Sequence, residues 1–420
     1  MRWPHVLACL CGALLWGGNV SAQPREGLQA ALQAALQNHP SVTGKQAEVA
    51  ASAFAGDAAR AQRYPSVTAS AQRFASTADA ANLASSPVTL RLRQPLWAFG
   101  RIDANIAHAD GSALVDKLDL VRVQRQLVDA TAVAYARALA AQERQQVSAD
   151  NVTRHADLLA QIKRRETGQV ASVADVTLAQ ARWLQAVAQK NRHDSELQQA
   201  LDELKAQTQL TVKVVEIDTP EVFSAAALDV LLDVAAEQSA DIRLKKQKWE
   251  VAKLAVEQAR LSSMPTVYMQ GDRVPAVQAN GVSANRYSVV LEGNLEGGGF
   301  VAAGKAKEAL ARAQAAEEDV RNAHNEMSRS LRSFVSTRDL SQSLVRQQKD
   351  SVVQLEALLA SYKRQYEAGT KAWLDVLNMQ RELSEQKLQS IQVQADWMTY
   401  ALRLSALVGQ LDERAGVSKD

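Results

Sequence analysis

The sequence writes one corner twice. "ARAQRYPSVTAS" from Ala59 and "ARLSSMPTVYMQ" from Ala259 both run Ala-Arg, four variable residues, Pro, a hydroxyl residue and Val. At the same offset Lys45 falls on Lys245, Ala55 on Ala255 and Pro65 on Pro265. With small slips Leu92, Leu96 and Gly100 fall on Leu291, Leu295 and Gly299, and Gly168 and Asp175-Val176 on Gly369 and Asp375-Val376. Shared order over such a length is an internal repeat, and two copies are too few for a solenoid. Any fold for this chain must therefore build the same string of elements twice.

That string reads helix, strand, turn, strand, very long helix, break, helix. Residues 41–63 are rich in helix formers and stop before Pro65, because the residue before proline resists the helical region. Val88, Leu90 and Leu92 share one side of the next segment and Thr89, Arg91 and Arg93 the other, a period of two with opposite chemistries. Copy two repeats the pattern, with Tyr287, Val289, Leu291 and Leu295 on one side and Ser288, Glu292, Asn294 and Glu296 on the other. From Arg101 to Glu166 there is no proline and one glycine, Gly111. Leu114, Leu118, Val121, Val128, Ala132, Tyr135 and Leu139 alternate spacings of three and four, a coiled-coil seam that only Arg125 interrupts. Roughly 66 residues at ~1.5 Å each reach about 100 Å. In each copy the two shorter helices, 41–63 with 172–208 and 240–263 with 373–408, together nearly match the long one. This predicts a long helix flanked by a stacked pair, with strands at one end and the Gly168 and Gly369 turns at the other.

The expected division is a signal peptide over 1–22 and a first repeat over 23–209. That repeat holds a β-hairpin at about 66–97, a long helix 101–166 and a helix 172–208. A connector at mid-height follows (210–227), then a second repeat over 228–409 with a hairpin at about 266–296 and helices 301–367 and 373–408, and a C-terminal tail (410–420). The signal is read from Arg2, the apolar run Val6–Leu15 and the small residues Val20-Ser21-Ala22. Both cysteines, Cys9 and Cys11, lie inside it, so the exported chain would have none and must hold together by packing. Net charge is +2, which gives no bulk field for nucleic acid. Beyond the signal no run of about 18 apolar residues marks a transmembrane helix. Aromatics are only 5% of the chain, which suits narrow helix seams rather than a thick core.

Four strands of about ten residues have the length of tilted transmembrane β-strands, and their alternation suits a wall between lipid and water. Four cannot close, and an open edge in lipid leaves backbone groups unpaired, so closure would need further subunits: eight strands from a dimer, twelve from a trimer. The plainer alternative is a pair of ordinary hairpins on a soluble coiled-coil protein. The paired hairpins, the signal and the missing cysteines favour the membrane.

The stretch "YEAGTKAWLDVLNMQREL" (Tyr366 to Leu383), the Pro-Ser-Val and Pro-Thr-Val corners and "QPLWAFGR" (Gln94 to Arg101) resemble the TolC family of outer-membrane channels. The resemblance covers the mature chain in the same element order. It implies a mainly α fold with a small membrane β part. Three chains would form a twelve-strand β-barrel in the outer membrane and a twelve-helix tunnel through the periplasm. Pro65, Pro265, Pro95 and Gly100 would be the helix–strand corners. By the resemblance, the tip turns at Gly168, Gly369 and Thr370 would dock a periplasmic adaptor, which couples the duct to an inner-membrane ABC or other transporter. Asp375 would form a ring of three carboxylates at the periplasmic entrance, favouring cations. Where the family has a second acidic residue one turn later, this chain has Asn378, which halves the ring charge. The positions matching the family's closed-state links are Asp175, Tyr366 and Lys371, with Asp175 expected to bond Lys371 or Tyr366. Lys371 stands where an arginine would pair in bidentate fashion, so the clamp would be looser.

The other candidates are weaker. His39, His108, His155, His193 and His324 lack ligand spacing, so no metal site is expected, and no cofactor. Gly297-Gly298-Gly299 is followed by no Lys-Ser/Thr pair and is read as the turn into a helix. Lys245, Lys246 and Lys248 read as a solvated face. No nucleophile–base pair is present, so the chain is not expected to be an enzyme. The sequence reads as an outer-membrane exit duct, by resemblance serving type I protein secretion. Multidrug efflux is the alternative, and a poreless periplasmic adaptor or coiled-coil protein is the rival of another class.

Overall fold

A computed structural model describes residues 27–71, 88–217, 228–274 and 284–417. The expected signal peptide lies outside them, as do both cysteines. The chain runs α1 (Gly27–Asn38), α2 (Pro40–Ala61), β1 (Ser66–Ala71), β2 (Val88–Trp97), α3 (Arg101–Thr167), α4 (Val173–Thr208), α5 (Leu228–Gln238), α6 (Ala240–Leu261), β3 (Thr266–Val274), β4 (Ala284–Glu292), α7 (Phe300–Glu367), α8 (Trp373–Leu407) and α9 (Gln410–Ala415).

The long helices start where glycine permits a left-handed residue. Gly100 precedes α3 at φ 83°, and Gly297, Gly298 and Gly299 precede α7 at φ 57°, 67° and 94°. A side chain at such angles would be strained, so these glycines let a strand turn sharply into a helix. The helices α3 and α7 span 67 and 68 residues, about 100 Å at a rise of ~1.5 Å. The α2 helix lies antiparallel along the first part of α3, tied by Arg63–Asp103, Arg60–Asp110 and Lys45–Asp119, each at 2.6 Å. The α4 helix takes the rest of α3, where Arg137 meets Glu203 at 3.2 Å and Gln145 meets Asp194 at 3.0 Å. In copy two α6 and α8 flank α7 in the same way, and both also pack on α3. The helices thus form a row, α2/α4 then α3 then α6/α8 then α7, with α2/α4 at one edge and α7 at the other. The sheet repeats this logic: it runs β1-β2-β3-β4, antiparallel throughout, with β1 and β4 as its edges.

At mid-height, where α2 ends its stack on α4, the core thickens. Tyr135 sits at the centre of α3, fully buried, and its hydroxyl donates to the Val215 carbonyl and accepts from the Val215 amide, both at 2.8 Å. Around it pack Leu32 of α1, Leu204 of α4, Val212, Val214 and Ile217 of the connector, Leu402 of α8 and Leu411 of α9. Connector residues 218–227 lie outside the described residues.

The structure differs from the sequence reading at several elements. Residues 410–415, read as part of a tail, form α9, whose Leu411 and Ala415 are buried in the mid-height core. The helices α1 and α5 were not singled out. They are short, and Pro40 and the Ser239 cap separate them from α2 and α6. The alternation read as far as Glu296 stops at Glu292, and a 3-10 turn covers Glu296–Gly299. Of the first hairpin, residues 72–87 lie outside the described residues.

Candidate functional site

The sheet separates two chemistries. Val67, Tyr287 and Leu291 are 72%, 83% and 65% exposed on one face, together with Leu90, Leu92, Met269 and Val289. A soluble protein would bury such a patch; a wall facing hydrocarbon needs it. The register puts Arg91 opposite Asp272 and Arg93 opposite Gln270 on the other face. Arg91 pairs with Asp272 at 2.8 Å, while Arg93 donates to Gln270 Oε1 at 2.9 Å and reaches Glu292 at 2.5 Å. This polar ladder joins the two hairpins and lines the side away from lipid. Sequence reasoning missed its pairing, although opposite charges spaced by two on different strands were the available signal.

Of the corner residues named from the sequence, Pro65, Pro265 and Gly100 adjoin an element's start, whereas Pro95 lies inside β2. Pro65 and Pro265 directly precede β1 and β3, Pro95 sits at a register shift in β2, and Gly100 caps α3. Arg101 Nη2 donates to Thr266 Oγ1 at 2.7 Å, binding one corner to the other. Trp97 stacks on Phe99 at 5.0 Å here, an exposed aromatic pair at the level where an interface would lie.

At the opposite end α3 and α7 turn into α4 and α8. The α3 helix ends at Gly168, whose amide donates to the Arg164 carbonyl. Gly369 takes φ 75°, and Thr370 Oγ1 donates to the Gln365 carbonyl at 3.0 Å. One apolar cluster holds all four helices together: Leu158 and Ile162 of α3, Ala179 of α4, Leu359 and Tyr366 of α7, and Trp373, Val376 and Leu377 of α8.

The tie expected from Asp175 to Lys371 or Tyr366 is not made within the protomer. Asp175 accepts from the Ser172 amide at 3.1 Å and the Ser172 hydroxyl at 2.8 Å, while its own amide donates back to Ser172 Oγ. This is a capping box, and those hydrogen bonds from Ser172 hold the Asp175 carboxyl below its ordinary pKa. Lys371, in the turn before α8, instead reaches 3.5 Å from Asp375 Oδ2 of α8 and 4.4 Å over the Tyr362 ring of α7. Tyr366 is buried with the Arg165 guanidinium 4.3 Å over its ring, and burial raises its hydroxyl pKa. Asn378 is exposed one turn beyond Asp375.

Above the tip cluster His155 is 4% exposed, and its Nδ1 has no hydrogen-bond partner. Burial, reinforced by the Arg182 charge, lowers its pKa below the ordinary 6.5. The folded chain then keeps this imidazole neutral while the unfolded chain protonates, so stability falls as pH drops through about 6.5. Unfolding midpoints at pH 7.5 and 5.5 are expected to show an acid loss that His155→Leu reduces. An equal loss in both proteins would remove His155 as its source.

Among the described residues no cluster of three or more ligating side chains could hold a metal, and no helix is long and apolar enough to cross a membrane.

The comparisons with known proteins agree with this geometry. The sequence matches the Outer membrane efflux protein family over residues 31–208 and 231–410, one match for each copy of the repeat. It is 23% identical to "Outer membrane protein TolC" of Salmonella enteritidis over 442 aligned positions, covering 99% of this chain and 88% of that one. The fold is similar to the crystal structure of a membrane protein from Pseudomonas aeruginosa, with TM-score 0.78, 18% identity and coverage of 91% and 93% of the two chains. It is also similar to the outer membrane protein VceC of Vibrio cholerae, with TM-score 0.74, 18% identity and coverage of 91% and 96%. With the family matched across both repeats, and a sheet whose apolar face suits lipid at one end of ~100 Å helices, the chain belongs to the outer membrane efflux proteins, passive channels of the outer membrane that extend into the periplasm.

Proposed function

We propose that three copies of this chain close into one duct, the exit of an export system that also needs a periplasmic adaptor and an inner-membrane transporter. The carrying observation is that both layers of the protomer end in open edges, β1 and β4 in the sheet and α2/α4 and α7 in the helix row. In lipid the unpaired strand edges cost several kcal/mol per backbone group, and closure by neighbouring copies removes that cost. Twelve strands give a lumen that eight would fill with side chains. The adaptor docks on the turns around Gly168, Gly369 and Thr370, where Val170 and Val173 are exposed.

The cargo of this duct is protein, delivered by type I secretion. The support is the resemblance of "WLDVLNMQREL" to that branch, and the reading rests on those residues of α8. A deletion strain tests it by two readouts, the proteins in the culture medium and the susceptibility to dyes and antibiotics. Loss of a large secreted protein with unchanged susceptibility is the expected result; raised susceptibility with an intact secretome would assign the duct to drug efflux.

At the entrance Asp375 supplies a ring of three carboxylates, each partly neutralised by Lys371 of the preceding turn. An exposed pair of this kind is weak, so Lys371→Gln should raise the cation-to-anion permeability ratio by about twofold and Asp375→Ala should lower it. Reversal potentials in a salt gradient decide this, and a ratio unmoved by either change would take Asp375 out of the ion path. The links that hold the tip shut run between neighbouring protomers, with Asp175 the partner of Tyr366 or Lys371 from the next copy. Asp175→Ala should then raise closed-state conductance, and an unchanged value would count against the link.

A further inference from the structure

Among the described residues the apolar face of the sheet carries one cation, Arg273. Met269, Gly271 and Arg273 of β3 share that face, because they stand opposite Gln94, Leu92 and Leu90 of β2. On β4 the register adds Val289, Tyr287 and Asn285, with Asn285 directly across from Arg273. Asp272, the neighbour of Arg273 in sequence, lies on the other face and is held by Arg91 at 2.8 Å. Arg273 is exposed and makes no hydrogen bond or ion pair among the described residues, and the same holds for the exposed Asn285. Tyr287 is 83% exposed, and its ring lies over Gly271, where an added Cβ would meet it at 3.5 Å. A guanidinium, an amide and a phenol are therefore gathered on one patch of two adjacent strands.

Depth decides what this patch meets. The strands join the helices at Pro265 and beyond Glu292, so Arg273 and Asn285 lie toward the ends that point away from the periplasm. Where strands meet helices, the exposed Leu96, Trp97, Leu295 and Phe300 form an apolar collar. The step from Leu291 up to Asn285 is about 20 Å of strand and about 15 Å of depth at a tilt of ~45°. With the collar below Leu291, the apolar span approaches the ~25 Å band of a membrane barrel, which puts Arg273 and Asn285 at its outer rim. There an arginine costs far less than at the midplane, and its stem lies along apolar surface while its head reaches the polar layer. The anion in that layer is lipid phosphate. Guanidinium is always charged and presents paired donors that match phosphate oxygens. The exposed Leu90, Leu92 and Val67 nearby offer the apolar surface that acyl chains need.

We infer that Arg273, Asn285 and Tyr287 form a binding site for a lipid of the outer leaflet, holding its phosphate while its acyl chains lie on the apolar face of the sheet. Because β3 is an inner strand, Arg273 stays on the lipid side whichever copies pair with the β1 and β4 edges. The site rests on the sheet standing in the outer membrane and needs no current through the duct.

Native mass spectrometry of the detergent-extracted oligomer tests it. The probes are lipid A, a phosphorylated and acylated glucosamine disaccharide, and the same lipid stripped of its phosphates. Wild type is expected to retain the phosphorylated form about tenfold better, and Arg273→Gln to lose that preference. Arg286→Gln is the control, since it removes an equal charge one residue from Asn285 on the face of Asp272, and it should keep the preference. Equal retention of both lipids by wild type, or equal loss in the two variants, would overturn the site. Displacement of the lipid by millimolar inorganic phosphate would make it a site for a soluble anion and overturn the lipid as its occupant. Should Arg273→Gln fail to assemble, Asn285→Ala takes its place and is expected to weaken the preference by about threefold; an unmoved preference would overturn the cluster. A wild-type oligomer that carries no current would count against the duct and leave the lipid result standing.

Discussion

Asp412→Ala is expected to destabilise the chain by about 3–5 kcal/mol, the usual cost of removing one partner from a buried ion pair. The Asp412 carboxylate, almost wholly buried in α9, meets Arg125 Nη2 of α3 at 2.6 Å. Arg125 Nη1 also donates to the carbonyl of Gln238, the last residue of α5. One guanidinium therefore holds the chain's C-terminal helix and the end of α5 against the middle of α3. Without Asp412 the cation remains in a low-dielectric site with its Nε already unpartnered. Arg125→Ala should cost as much, by stranding the carboxylate. Removing both charges with packing groups of similar volume, Arg125→Met with Asp412→Leu, should recover most of the loss. Denaturant midpoints of the purified protein at fixed concentration check this. A single substitution costing less than about 1 kcal/mol would place the pair in the class of exposed, screened bridges.

Val289→Arg should prevent stable insertion, whereas Ser288→Arg should be tolerated. The two residues are neighbours in β4 on opposite faces: Val289 shares the exposed apolar face with Tyr287 and Leu291, and Ser288 stands across from Gln270 on the polar ladder. An arginine in hydrocarbon near the midplane costs about 2–4 kcal/mol, but one facing the lumen meets water. Heat-modifiable, detergent-resistant oligomers recovered from the membrane fraction report insertion. Loss with Ser288→Arg and retention with Val289→Arg would invert the assignment of the two faces.

The architecture was legible because it rests on long-period signals. Duplicated corners, proline-free stretches and a period of two survive any uncertainty about individual contacts, and the four strands and two long helices follow from them. The rest depended on partners distant in sequence. Arg125 read as a flaw in the α3 seam because its partner lies in a segment taken for a tail; only folding brings Asp412 to it. The same holds for α1 and α5, whose apolar residues make sense once Tyr135 and the connector form a core for them to cover. At the tip, short-range chemistry took precedence over expected ties. Ser172 at the N-cap satisfies Asp175, and Lys371 in the turn before α8 finds Asp375 four residues on, contacts that close only short loops.

The central claim is that copies of this chain enclose a continuous water path through the outer membrane. Planar-bilayer recording of the detergent-extracted oligomer tests it most directly, with Asp375→Ala measured beside the wild type. The account predicts discrete conductance steps whose cation preference falls in the variant. A folded chain that leaves the envelope without detergent and carries no current would contradict it.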